Sequence, residues 1–229
     1  MTAQGSGFQF TVAGVSLLAL PSGALWWPEA GILTVADLHL GKSERLARRG
    51  GTLLPPYETR ETIARLTSEI DTLSPRTVIC LGDSFDDAEA ARQLGEPARI
   101  ALAGLMAGRR WIWVAGNHDP DLPDLGGSHM EEVARGPLTF RHIARPRAEA
   151  GEISGHYHPK MRLPTRAGLI SRPCFVTDET RAILPAFGAY TGGLTCTSGP
   201  IRTLFGEDAL CILTGTTAAP VPLATRATA

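Results

Sequence analysis

The chain opens with four short apolar runs, Phe8–Val12, Val15–Leu20, Ala24–Trp27 and Ile32–Ala36, separated by glycine and proline breaks. Runs this short between such breaks predict successive β-strands, and the last ends directly on Asp37. After Pro55-Pro56 the period changes. Ile63, Leu66, Ile70 and Leu73 fall at helical spacing with polar residues between them, which predicts an amphipathic helix over Tyr57–Leu73, closed by Ser74-Pro75. Thr77–Leu81 then reads as a buried strand ending at Gly82-Asp83. A second helical stretch runs from about Asp86 to Gly108 with a break near Gly95–Pro97, and Trp111–Ala115 is a further buried strand ending at Gly116-Asn117-His118.

This alternation of strand and helix predicts an α/β sheet. From Val133 onward the pattern shifts to short strands between turns at Gly136-Pro137, Pro146, Gly151, Gly168, Gly188 and Gly192-Gly193, so the second half is expected to be β-rich. No repeat or linker divides the chain, which predicts one domain over residues 1–214. The segment 215–229, rich in Thr, Ala and Pro and poor in large apolar residues, is expected to be a disordered tail.

Composition adds constraints. With 229 residues, 43% of them hydrophobic, the chain can bury a core without staples. The apolar stretch Val12–Leu20 is short, broken by glycine and preceded by no basic residue, the first being Lys42, so neither a signal peptide nor a membrane anchor is read and the cytoplasm is expected. Cys80, Cys174, Cys196 and Cys211 are scattered without CxxC spacing, which suits reduced core thiols better than disulfides or a zinc site. Trp26, Trp27, Trp111 and Trp113 lie in strand-like runs and are expected to pack in the core.

Three buried-type strands end on polar clusters: Asp37-Leu38-His39, Gly82-Asp83-Ser84-Phe85-Asp86, and Gly116-Asn117-His118-Asp119. Ligands bind at the carboxyl ends of strands in open α/β sheets, so the three are expected to share one edge. Two further clusters follow, His142 after Leu138–Phe140, and Gly155-His156-Tyr157-His158-Pro159. Aspartate, histidine and asparagine form a ligand field of borderline hardness, suited to manganese, iron or zinc. Such side chains in these clusters outnumber the ligands of one tetrahedral site but fit two cations sharing a carboxylate, an arrangement that serves in-line attack at phosphorus.

The series DxH, GDxxD, GNHD, a lone His and GHxH, in this order from Asp37 to His158, resembles the calcineurin-like metallophosphoesterase superfamily. The resemblance implies two packed mixed β-sheets flanked by helices and a centre of two divalent metal ions, manganese first, with iron, zinc or nickel as alternatives. It implies that Asp37, His39 and His158 hold one metal and that Asn117, His142 and His156 hold the other, with Asp83 bridging both. His118 would protonate the leaving oxygen or steady the phosphate, with Asp86 orienting it. Two departures stand out. The position after Asp86, where many phosphomonoesterases of the superfamily carry a phosphate-gripping arginine, is Asp87, which would repel a dianionic monoester and favours a diester. The residues around His142 lack the glycine that often follows it.

The HLGK extension of the first motif, HYHPK at the last, Leu184-Pro185-Ala186-Phe187-Gly188 and Thr191-Gly192-Gly193 are similar to the bacterial ligase-associated DNA damage response endonucleases, found alongside a DNA ligase, an exonuclease and a helicase-like protein. That likeness implies cleavage of phosphodiesters in DNA during repair, by attack of a metal-bound hydroxide. The alternatives are a phosphodiesterase or phosphatase of small nucleotides, and a binding module that keeps the fold as a scaffold.

The near-zero net charge, −1, hides a partition. Segments 42–49 and 135–172 sum to +3 and +6, whereas 50–134 sums to −7. Both basic segments flank the motifs, so a positive apron beside the site could hold a polyanion; a solvated surface is the plainer reading. Only two of the 22 basic residues are lysines, and Lys42 and Lys160 both follow motifs; with Arg45 they are the candidate substrate contacts. Gly41-Lys42-Ser43 imitates the end of a P-loop, but the required first glycine is Ala36. Ser84 lacks a GxSxG context and reads as a turn residue, and His129 reads as a surface loop residue.

Overall fold

A computed structural model of the chain describes residues 6–48, 50, 57–120, 125–165 and 168–223. Pro55-Pro56, Arg49, Arg166 and the last six residues, 224–229, lie outside them. The first half forms β1 (Phe8–Val12), β2 (Val15–Ala19), β3 (Leu25–Trp27), β4 (Ile32–Val35), α1 (Lys42–Arg48), α2 (Glu58–Leu73), β5 (Thr77–Leu81), α3 (Ala88–Arg92), α4 (Glu96–Met106), β6 (Arg110–Val114) and β7 (Ser128–Met130). Its strands make one seven-stranded sheet in sequence order, antiparallel from β1 to β4 and parallel from β4 to β7.

The second half forms β8 (Glu132–Arg135), β9 (Leu138–Arg141), β10 (Glu152–Ser154), β11 (Lys160–Thr165), β12 (Gly168–Thr177), β13 (Arg181–Ile183), α5 (Gly199–Arg202), β14 (Leu210–Leu213) and β15 (Ala219–Pro222). These build an eight-stranded sheet ordered β15-β14-β12-β13-β10-β9-β8, with β11 paired to β12. The architecture is α/β, two mixed sheets packed in a single domain.

Two-sided burial explains the apolar runs. Along β5, Ile79 and Leu81 join the core between the sheets with Phe140, Ile153, Phe175 and Ile212, while Val78 and Cys80 face Ile63, Leu66, Leu102 and Leu105 of α2 and α4. A parallel strand covered on both faces reads as continuous hydrophobic sequence. A third cluster, with Val176, Ile183, Ile201 and Phe205, covers the outer face of the second sheet.

Two expectations need correction. The segment from 215 is not a disordered tail over its described part. Ala219–Pro222 pair antiparallel with β14, the Leu223 amide donates to the Ala209 carbonyl at 2.8 Å, and Leu223 is buried. Its prolines misled because an edge strand tolerates them. His129 lies on strand β7 and not in a loop, and is exposed. The helix α1 has no counterpart in the hydrophobic pattern; it is held from outside, the buried Glu58 carboxylate accepting the Ser43 amide at 3.0 Å and its hydroxyl at 2.7 Å.

Candidate metal centre

The parallel pairing of β4 with β5 continues past the strand ends. The Asp37 amide donates to Gly82 O at 3.2 Å, His39 N to Asp83 O at 2.9 Å, and Leu40 N to Ser84 O at 3.0 Å. This ladder sets the first two polar clusters side by side. From the other direction, the His156 amide donates to Asp37 Oδ2 at 2.9 Å and Gly155 N to His142 O at 3.0 Å, so the loops after β9 and β10 lock onto the same edge. Phe187 N donates to Ala36 O at 2.8 Å and Gly188 N to Asp37 O at 3.1 Å, which places the LPAFG segment against the first motif.

The side chains gather into two principal groups. In one, ligand atoms of Asp37, His39 and His158 lie within 4.8 Å of one another; in the other, those of Asp83, His142 and His156 do. Asn117 joins the second group, its Oδ1 3.1 Å from His142 Nε2. Asp83 belongs to the second group and lies near enough to His39 of the first to feel its charge. His142 Nε2 is 3.3 Å from its Oδ2, and the His118 amide donates to its Oδ1 at 2.9 Å. Burial alone would raise the Asp83 pKa, but the hydrogen bond and charge of His142, the His118 amide and the His39 charge together pull it down to about 2. The floor of the site, Asp37, His39, Asp83 and His142, is buried, whereas Asn117 and His118 are exposed.

The backbone is bent to make this convergence. Asp37, His39, Asp83, His156 and His158 all adopt positive φ, between 45° and 70°. A left-handed conformation is uncommon for residues with a Cβ and is tolerated best by Asn, Asp and His. Three motif glycines mark close approaches. A Cβ on Gly116 would stand 2.2 Å from Asp83 Oδ1, one on Gly82 2.2 Å from His142 Nδ1, and one on Gly155 2.6 Å from Asp37 Oδ2. The G of each GD, GN and GH motif is therefore the gap into which a ligand-bearing side chain of another motif fits.

The donor set fits cations. His142 Nδ1 lies 3.1 Å from the Leu81 carbonyl, which can accept the Nδ1 proton of the neutral ring, so that the Nε2 edge facing Asn117 Oδ1, Asp83 Oδ2 and, at 3.2 Å, His156 Nδ1 carries either a lone pair for a cation or, without one, a proton shared with Asp83. His39 Nδ1 is 2.8 Å from Asp86 Oδ1, and its Nε2 faces His158 Nε2 at 3.3 Å, which in turn is 3.3 Å from Asp37 Oδ1. Acceptors turned on acceptors repel unless a cation lies among them, and nitrogen with oxygen donors suits a borderline divalent ion.

The Asp86 carboxylate lies within 4.8 Å of a His118 ring nitrogen, in a third group with His39, but its close partners are others. It pairs with His39 and with the Arg45 guanidinium, and Lys42 Nζ is 3.8 Å away. His118 is instead held by the Asp86 backbone carbonyl, 3.0 Å from its Nδ1. Burial would raise the Asp86 pKa, yet His39, Arg45 and Lys42 bring it down to about 2. Asp87 is also not a bare repulsive charge. It caps α3 by accepting the Ala90 amide at 2.7 Å and pairs with Arg48 at 2.9 Å. The basic apron is correspondingly reduced: Arg45 and Arg48 face Asp86 and Asp87, and Arg141 and Arg145 each lie 3.1 Å from Glu132. Lys160 donates to the Thr191 carbonyl at 2.9 Å.

Asp119 closes the third motif, and the residue pattern assigns it no role. It is fully buried, accepting the Phe85 amide at 3.0 Å and the Gly116 amide at 3.1 Å, and so ties the second motif loop to the third. Burial, reinforced by the charge of Asp83, raises its pKa to about 7. The only sequence signal was an acid closing the GNHD motif.

A strand edge that presents two acid–histidine groups is what a phosphoester-hydrolysing metalloenzyme requires, and the sequence agrees: the profile of the calcineurin-like phosphoesterase family matches residues 31–208, and the chain belongs to that family. It is a metal-dependent phosphoesterase. No curated protein matches the sequence significantly. Among solved structures, the crystal structure of the Pseudomonas putida nuclease MPE is similar, at 28% identity and a TM-score of 0.72, covering 94% of this chain and 100% of that one. Among the described residues no helix is long and apolar enough to cross a membrane.

Proposed function

We propose that the protein is a nuclease of the cytoplasm that hydrolyses phosphodiester bonds in DNA, in ligase-associated repair, with two divalent ions, manganese first. The observation that carries this reading is the convergence of the Asp37-His39-His158 and Asp83-His142-His156-Asn117 groups on one strand edge, beside an exposed histidine. The similarity to a nuclease over nearly the whole chain supports the choice of substrate.

On this reading Asp37, His39 and His158 hold one ion, Asn117, His142 and His156 the other, and Asp83 both. Ions so placed supply Lewis-acid polarisation of the phosphoryl group and lower the pKa of water. The chain does the rest. Leu81 O and Asp86 fix the tautomers of His142 and His39, so that each presents a lone pair. His118, steered by the Asp86 carbonyl, turns its other ring nitrogen to the leaving oxygen and delivers the proton. Lys42, on the rim beside Asp86, meets a non-bridging phosphate oxygen, and Arg45 and Lys160 line the approach. A pocket of about 320 Å³ beside the second group, lined by Asn117, His142, Arg141 and Arg145 together with Glu131 and Glu132, would receive the neighbouring stretch of strand.

The test is a side-by-side assay with Mn²⁺ of bis-p-nitrophenyl phosphate, cyclic nucleotides, and nicked and single-stranded DNA. Cleavage of DNA with a steep salt dependence, and none of that dependence on the small esters, is expected. Turnover of the small esters with DNA left intact overturns the nuclease reading.

A further inference from the structure

Away from the phosphoesterase centre, three of the four cysteines meet. Cys174 comes from β12, Cys211 from the paired strand β14, and Cys196 from the segment before α5; all three are 0% exposed. Their sulfur atoms lie within 4.8 Å of one another, and the Met161 thioether on β11 is 3.6 Å from Cys196 Sγ. The sequence spacing concealed this, because the residues are brought together only by the β12–β14 register, which sets Val176 opposite Cys211 and Cys174 opposite Leu213.

We propose that Cys174, Cys196 and Cys211, with Met161 beside them, form a second metal site for one soft, thiophilic cation of the monovalent-copper class.

The chemistry of the donors selects the ion. Buried thiols otherwise behave as small hydrophobes, and packing alone asks only that they fill space. Four sulfurs drawn from four separate segments form an all-soft donor set, and sulfur donors, the thioether above all, favour Cu(I) over the harder ions that Asp, His and Asn take. Zinc is disfavoured because the fourth donor at hand is a thioether and not a histidine, carboxylate or thiolate. Size also fits, since three sulfurs each about 2.3 Å from a central ion stand about 4 Å apart, within the 4.8 Å limit that the three sulfurs here keep. The three sulfurs already face one another, and the Cys196 thiol also turns to Met161 Sδ. On binding, thiol protons leave to water, and no oxidant or reductant is consumed.

The site has a structural reach. The Cys196 amide donates to Lys160 O at 2.9 Å, the Cys174 amide to Pro159 O at 3.0 Å, and Lys160 N to Leu194 O at 2.8 Å. A cation held by the sulfurs would fasten β12, β14 and the 194–196 segment behind the loop that carries His156 and His158. The two centres would also sort ions by hardness within one small chain.

The experiment is an anaerobic titration of the reduced full-length protein with Cu(I), in competition with bicinchoninate, followed by the thiolate-to-copper absorption and by thermal unfolding. One equivalent per chain and a raised Tm are expected. The affinity should fall at least ~100-fold in Cys196→Ser and Cys174→Ser and be unchanged in Cys80→Ala, whose sulfur lies in the other core, and in Asp83→Ala. Should a serine variant not fold, the wild-type titration decides alone. No uptake by the folded wild-type protein, loss of the thiolate-to-copper absorption when zinc is added, or equal uptake by folded Cys196→Ser overturns the proposal.

Discussion

In the seven-stranded sheet, β4, β5 and β6 are parallel neighbours that each end on a candidate ligand, Asp37, Asp83 or Asn117. In the eight-stranded sheet, the loops after β9 and β10 supply His142, His156 and His158, and the far face of the same sheet gathers sulfur. Apart from His39, one sheet thus brings oxygen and the other nitrogen. Neither has a complete donor set, so the phosphoesterase centre exists only where they dock, and the shared core is as much a part of it as the ligands are.

The largest effect is expected where one side chain serves both halves. Asp83→Ala should lower Mn²⁺-dependent hydrolysis of bis-p-nitrophenyl phosphate by ~10³-fold or more, with a melting temperature close to wild type. Retention of full activity would remove the shared-carboxylate assignment. Next comes the core between the sheets. Phe140→Ala from the second sheet and Ile79→Ala from the first should each cost about 3–5 kcal/mol in urea unfolding, and fluorescence and circular dichroism should report one transition in both. Two separated transitions would break the view that the sheets stand or fall together.

Gly116→Ala sharpens the comparison at closer range. Its Cβ would stand 2.1 Å from the Asp83 amide nitrogen, and a displacement of that carboxylate should cost about 100-fold in kcat at nearly unchanged secondary structure. Asp86→Asn removes the partner of His39 within the first sheet alone. Metal affinity, measured by titration calorimetry with Mn²⁺, should fall about 10–100-fold. The smallest effect is a pH dependence. The folded-state pKa of Asp86, about 2, is depressed below its ordinary value of 3.8, so its contribution to stability is present above that value and lost as pH falls toward 2. Urea unfolding between pH 5 and pH 3 should show wild-type stability declining more steeply than that of Asp86→Asn.

The same contrast explains what the sequence disclosed. In the first sheet, burial on both faces writes itself as Thr77–Leu81 and Arg110–Val114, and those strands and the helix α2 were legible almost to the residue. The second sheet was legible only as a β-rich region. Two of its central strands, β10 and β13, are three residues long and carry Glu152 and Arg181, both buried and joined at 3.1 Å, with Arg141 completing the group at 3.0 Å. Charges that neutralise one another in a core look like surface in a sequence. The candidate ligands were legible because their residue types and order are a chemical pattern. Asp119, Glu58 and the sulfur cluster were not, since each acts through a contact that only the folded register creates.

Both acid–histidine groups close on a single short loop, His158 completing one and His156 the other. During synthesis, a ribosome that has released everything up to Ser154 has made a chain in which neither proposed ion has its full set of ligands. On the proposed ligand set, a chain terminated upstream of that loop would be inert, and activity would be the last property the growing chain acquires at this edge.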